Sequence, residues 1–215
     1  MAEGTAVFEY LLRWGHYLAG ITWMGMLFYL NFIQGEYLHV ALPESRTDYF
    51  KKLLPRVLLW FRHSATVTFI TGSIILAGRT GYGGLDSWNL YIAIAVALAV
   101  LMYLNVWLVI WPTWQVSMGR RMGDAAEATR RGRLASRTNL LFAAPMLFFM
   151  GGSAHLSSPV LSEVASGELL SIVALIAALE LNGLKGRFGP LESAGGAIAS
   201  SLSLTLLLIL IAEAI

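Results

Sequence analysis

Apolar residues gather along this chain in six long runs, at about 10–32, 54–77, 89–111, 140–158, 169–184 and 196–213, and the stretches between them hold most of the charge. A helix crosses a bilayer with roughly 20 residues at a rise of about 1.5 Å each. Each run therefore predicts one spanning helix, the fifth being the shortest. Strict alternation of apolar and polar positions is absent, so helices are the economical way to satisfy the backbone within lipid. The pattern predicts an all-α fold, a polytopic membrane helix bundle of about six transmembrane helices forming a single integral domain over residues 1–215.

Charge then orients the bundle. Of the 15 basic side chains, Arg46, Lys51, Lys52, Arg56, Arg62, Arg120, Arg121, Arg130, Arg131, Arg133, Arg137, Lys185 and Arg187 fall on one side, and only Arg13 and Arg79 on the other. The rich side is expected in the cytoplasm. Both termini then face the periplasm of a bacterial inner membrane. The segment at about 113–138, with Arg120, Arg121, Arg130, Arg131 and Arg133, predicts a short amphipathic helix lying on the inner surface among anionic head groups. Topogenic charge accounts for that run, so no nucleic-acid partner is expected. The start of the chain carries Glu3 and Glu9 and no basic stretch, and it does not read as a cleaved signal peptide.

Composition narrows the chemistry. The 215 residues are 57% hydrophobic and 13% charged, a balance that belongs in a bilayer and not in a soluble core. There is no cysteine. That excludes disulfides, thiolate metal sites, iron–sulfur clusters and thioether-linked haem. No phosphate-binding glycine loop, nucleophile elbow or His-Glu-x-x-His motif occurs. The eight methionines form no close-spaced copper-binding series.

The candidate chemistry concentrates in the first run. Arg13 and His16 are three residues apart, and Gly20 and Trp23 continue the same helical face. A cation, an imidazole, a glycine gap and a flat indole make a wall for a large planar cofactor. The same face serves equally as a helix contact with His16 as a hydrogen-bonded packing residue. Counting from the outer ends, His16 lies about 9 Å deep in the first run and His155 about 5 Å deep in the fourth. Two imidazoles at similar depth on neighbouring helices suit axial ligation of a b-type haem. The alternative is that each bonds to loops or interfacial water. Met150-Gly151-Gly152-Ser153-Ala154 beside His155 is small enough to admit a porphyrin edge, and Arg13 and Arg79 are placed for haem propionates. His63, about 12 Å from the level of His16 on the same count, reads as structural or accessory, and His39 as a solvated loop residue. Glu180 and Asn182 suggest a proton path in principle, but an interfacial pair with Lys185 is the expectation. Asn105, Trp107, Trp111 and Pro112 read as an interfacial belt.

The stretch Arg13-Trp14-Gly15-His16-Tyr17-Leu18-Ala19-Gly20-Ile21-Thr22-Trp23-Met24-Gly25, continuing to Phe28-Tyr29, resembles the first helix of the membrane domain of bacterial membrane-bound urate oxidases. Asn105-Val-Trp-Leu-Val-Ile-Trp-Pro112 and Pro145-Met-Leu-Phe-Phe-Met150 with His155 resemble later helices of that domain, in the same order. More distantly, the first-helix pattern is similar to membrane haem proteins related to protoporphyrinogen oxidase and to copper-resistance membrane proteins. The resemblance implies haem b, with His16 and His155 matching the family's histidines, and electrons passed outward to a cytochrome c. The urate enzymes carry a fused cytochrome c, whereas this chain has no cysteine, and His63 stands where the family tends to show Trp. The expectation is accordingly a stand-alone b-type cytochrome-like electron-transfer module or subunit. It would work with a periplasmic cytochrome c, a partner enzyme or other membrane subunits. The alternatives are a cofactor-free accessory subunit of a larger membrane complex, or a small-solute or copper transporter.

Overall fold

In the computed structural model, which describes residues 2–80 and 88–214, the chain is all-helical apart from short connections and one isolated bridge. It divides into two compact units, Met1–Gly81 and Tyr82–Ile215.

The first unit is a helical hairpin. α1 (Ala2–Phe28) ends in a π-helical turn, Tyr29–Ile33, and the short helices α2 (Gln34–Val40) and α3 (Pro43–Asp48) lead through a second π turn, Tyr49–Leu53, into α4 (Leu54–Thr80). Pro43 opens α3, where its fixed φ and missing N–H cost nothing. α1 and α4 pack along their length. The stripe on α4 is Leu54, Leu58, Phe61, Ala65 and Thr68, spaced four and three apart, and all five are buried. Its counterpart on α1 runs from His16 through Gly20 and Trp23 to Leu27. Gly20 lies at Thr68 and His16 at Gly72, so indices rise on one helix as they fall on the other, and the pair is antiparallel.

The second unit is built around α7 (Ala125–His155). α5 (Leu90–Leu104) continues through a π turn, Asn105–Ile110, into α6 (Trp111–Ser117), and both pack on α7, as do α8 (Ser166–Lys185) and α9 (Ala194–Glu213). Residues Leu134–Ala143 of α7 are buried in an unbroken run, all round the helix, as expected of a central element. Asn89 caps α5 by accepting from the Ile92 N–H, and the Leu90 N–H donates to the Pro159 carbonyl, tying the start of α5 to the α7–α8 connection. Pro145 lies inside α7. Its ring removes the N–H that the Leu141 carbonyl would accept, and the Ser201 hydroxyl of α9 donates to that carbonyl instead, at 2.9 Å.

Among the described residues, three helices are long and apolar enough to cross a membrane: Leu90–Ser117, Ser166–Lys185 and Ala194–Glu213. All belong to the second unit, and they mark this as a membrane protein. α1, α4 and α7 are long but more polar: Arg13, His16 and several Tyr and Trp dilute α1, Arg56, Arg62 and His63 dilute α4, and arginines fill the first half of α7. The expected surface helix at 113–138 is not a separate element. Asp124 caps α7 by accepting from the Ala126 and Glu127 N–H groups, and the helix runs unbroken from there to His155. The arginines therefore form the polar entry to α7. The cause is packing, because Leu134 and Ala135 are fully buried and draw that entry into the bundle.

Candidate functional site

Within the first unit, the structure brings together three of the residues singled out above: His16, Gly20 and Trp23 share the α1 stripe that faces α4. His16 is half-buried, and its Nδ1 lies 3.0 Å from the Thr71 Oγ1. The Thr71 hydroxyl has one hydrogen, and the Val67 carbonyl one turn back is only 2.7 Å away. We assign that hydrogen to Val67, which makes the Thr71 oxygen an acceptor and places the imidazole proton on Nδ1. Nε2 is then the lone-pair nitrogen, and the Thr68 backbone is a further hydrogen-bonding neighbour of the ring. The ring sits where a side chain on residue 72 would have to be: a Cβ on Gly72 would meet His16 Cε1 at 2.9 Å. Gly72 is thus the recess that lets an imidazole lie flat between two close helices.

Gly20 and Trp23 are used by the same packing. Gly20 meets the Thr68 methyl, and Trp23 is 2% exposed with its indole N–H buried and without an acceptor among the described residues. Arg13 is not on the packed face. It is exposed and pairs with Glu9 at 3.9 Å, one turn back on α1. The side chain of Arg79 lies outside the described residues. His63 is exposed on α4 and accepts from the neighbouring Arg62 guanidinium at 3.3 Å. His39 is exposed, and its carbonyl accepts from Arg46.

In the second unit His155 is the last residue of α7, exposed and without a hydrogen bond among the described residues. The small residues before it are only in part free. A Cβ on Gly152 would come within 3.1 Å of the Tyr91 ring, whereas one on Gly151 would meet nothing. Ser153 is buried, and its carbonyl accepts from Asn89 at 3.0 Å.

Among the described residues no group of three or more His, Asp or Glu side chains converges as a metal cage. A haem iron asks less of the protein, one or two axial imidazoles. A ligating histidine ordinarily donates its other ring N–H to an oxygen acceptor, which fixes tautomer and ring orientation. The bond from Nδ1 to Thr71 is of that kind.

Sequence reasoning missed a second polar centre, inside the second unit. Asn105, at the start of the π turn, donates through Nδ2 to Asn139 Oδ1 at 3.0 Å and to Glu180 Oε2 at 3.1 Å. Asn139 in turn donates to the Met102 carbonyl at 2.9 Å. Asn105 and Asn139 are 3% and 0% exposed, so this network belongs to the core and not to an interfacial belt. No ion pair joins Glu180 to Lys185; the carboxylate turns to the amides. Asn182 closes the end of α8 by bonding with the backbone of Arg187.

Compared with known proteins, the chain matches no family model, no curated sequence and no solved structure.

Proposed function

We propose that this chain is a b-type cytochrome-like electron-transfer module of the bacterial inner membrane. It crosses the bilayer six times with both termini in the periplasm, and exchanges electrons with a periplasmic cytochrome c or partner enzyme. The observation that carries the reading is His16, half-buried, with Nδ1 held by Thr71 and the lone pair placed on Nε2. The first-helix resemblance to the urate oxidase membrane domain supports it, as does the one-sided distribution of arginine and lysine. His155 is the second ligand named by the sequence; its free imidazole suits the role, and substitution decides its part. Haem would supply one-electron exchange. Thr71 would hold the His16 ring in one tautomer and Gly72 would give it room.

Dithionite-reduced spectra of the purified protein test this. A low-spin b-type spectrum is expected in the wild type, lost or converted to a high-spin remnant in His16→Ala and in His155→Ala, and kept in His63→Ala. Thr71→Val removes the acceptor but not the ligand, so it should retain haem and shift its reduction potential. Wild-type protein without haem absorbance, from cells supplied with haem, would overturn the reading. One observation favours a second reading, a cofactor-free accessory subunit: Gly20 and Trp23 are already taken up by α4. In that case the haem-free chain should be recovered in a larger membrane assembly.

A further inference from the structure

Asn105, Asn139 and Glu180 sit at one level of the second unit. Asn105 is 15 residues past the start of α5, Asn139 is 16 residues before the end of α7, and Glu180 is 14 residues past the start of α8. At about 1.5 Å per residue these place all three roughly 21–24 Å from the same end of the helices. Glu180 is therefore inside Ser166–Lys185, a helix long and apolar enough to span the bilayer, about 7 Å from its Lys185 end.

A carboxylate there normally has a cationic partner. Glu180 has none. From α7 it faces Asn139, with Thr138 beside it; Arg137 lies instead by Arg133 and Glu192. From the α5–α6 helix it faces Asn105. α9 carries no titratable group before Glu213 at its far end, and on α8 itself Lys185 is five residues on and makes no bond to it. What holds Glu180 is a single amide N–H on Oε2. Oε1 makes no hydrogen bond and is not enclosed by the bundle.

The rest of the arrangement is built to present this group. Asn139 is fixed by the Met102 carbonyl and in turn fixes Asn105, so the N–H offered to Glu180 is aimed before the carboxylate arrives. Asn105 stands where the helix loosens into a π turn, a distortion frequent at functional sites. Gly183, three residues after Glu180, has no room for a Cβ against Thr138, which lets α8 approach α7 closely at this level.

We propose that Glu180 is an exchangeable proton-binding site within the membrane, with Asn105 and Asn139 as its positioning residues. One proton adds to a carboxylate oxygen, the site passes from singly negative to neutral, and no electron moves. An amide N–H stabilises the charged form without supplying a full counter-charge, so both states are accessible, whereas a salt bridge would lock the anion. This inference requires that α8 span the bilayer and is independent of haem.

The test uses the full chain in lipid nanodiscs, treated with the apolar reagent dicyclohexylcarbodiimide, which adds to protonated carboxyl groups, with the modified residue located by mass spectrometry. Glu180 should be labelled in preference to the exposed Glu127 and Glu192, and labelling should fall as pH rises. An infrared C=O band of a protonated acid should be present at low pH and absent from Glu180→Gln, which keeps an acceptor for Asn105. Equal labelling by a water-soluble carbodiimide would mean an ordinary solvated carboxylate and would overturn the proposal. Protection by sodium ions would mean a metal-cation site and would also overturn it. So would the absence of both adduct and band in folded protein at low pH.

Discussion

Ser201→Ala tests how α9 serves the backbone of α7 at Pro145. Pro145 leaves the Leu141 carbonyl of α7 without its helical N–H, and the Ser201 hydroxyl takes that place from α9 at 2.9 Å; Ser201 is 4% exposed. Removing the hydroxyl strands a carbonyl where water cannot replace the bond. An unsatisfied buried acceptor costs about 1–3 kcal/mol in soluble cores, while hydrogen bonds between membrane helices average about 0.6 and reach about 1.7 kcal/mol, because the membrane-unfolded state finds other partners. Here the same hydroxyl also accepts from the Ala144 N–H at 3.3 Å, so its removal takes away two contacts and the upper part of the membrane range applies, about 1–1.7 kcal/mol. The second substitution makes the argument decisive. Pro145→Ala restores an N–H four residues after Leu141, and in that background Ser201→Ala should cost less by about 1 kcal/mol, a coupling typical of groups sharing one partner. The assay is unfolding by SDS in mixed micelles, followed by helical circular dichroism, on the wild type, both single variants and the double variant. The same cost for Ser201→Ala in both backgrounds would show that the hydroxyl does not stand in for the missing amide.

Two further expectations follow from packing and topology. Gly183→Ala should destabilise by about 1–3 kcal/mol, the usual range for overpacking, because its Cβ would lie 2.7 and 2.8 Å from Cγ2 and Cβ of the fully buried Thr138; Thr138→Ala should rescue it only in part, since that Cβ remains, and wild-type stability of Gly183→Ala in the same unfolding assay would refute the close approach. Single cysteines at Ser157 and Met122, both exposed in a chain without native cysteine, should label from opposite faces of intact cells, with the periplasmic reagent reaching position 157 and sparing position 122. Labelling of both from one face would refute the six-span reading.

The apolar runs made the helices legible because burial in lipid and burial in protein both demand long helical stretches. The runs at 89–111, 169–184 and 196–213 coincide with the three helices apolar enough to cross, including the one that looked shortest. The His16, Gly20 and Trp23 face was legible too, since a spacing of four and three puts residues on one stripe whatever they meet there. What they meet was not legible. A glycine gap reads alike whether a cofactor or a second helix fills it, and only the placement of Gly72 and Thr71 on α4 shows which groups approach His16. The arginines of α7 misled for a related reason: a charged segment can lie on the surface or lead into a span, and the choice rests on Leu134 and Ala135, two small contacts within a polar stretch.

Asn105, Asn139 and Glu180 had a signal that depth counting could have found, as it was applied to the histidines. Each is a polar residue within or at the edge of an apolar run, and their distances from one end of the bundle agree within about two residues' rise. Asn105 reads as part of an interfacial belt because an isolated asparagine near tryptophans resembles an interfacial residue, and Lys185 offers Glu180 a simpler partner in the sequence. The helix geometry removes that partner. Residues five apart are about 140° apart around a helix at 3.6 residues per turn, so Lys185 points away from the face on which Glu180 meets the α5–α6 helix. A carboxylate that cannot reach its nearest cation must be solvated, held by dipoles or protonated. Here one oxygen is held by an amide dipole and the other is left free, which makes the third state the one the fold keeps open.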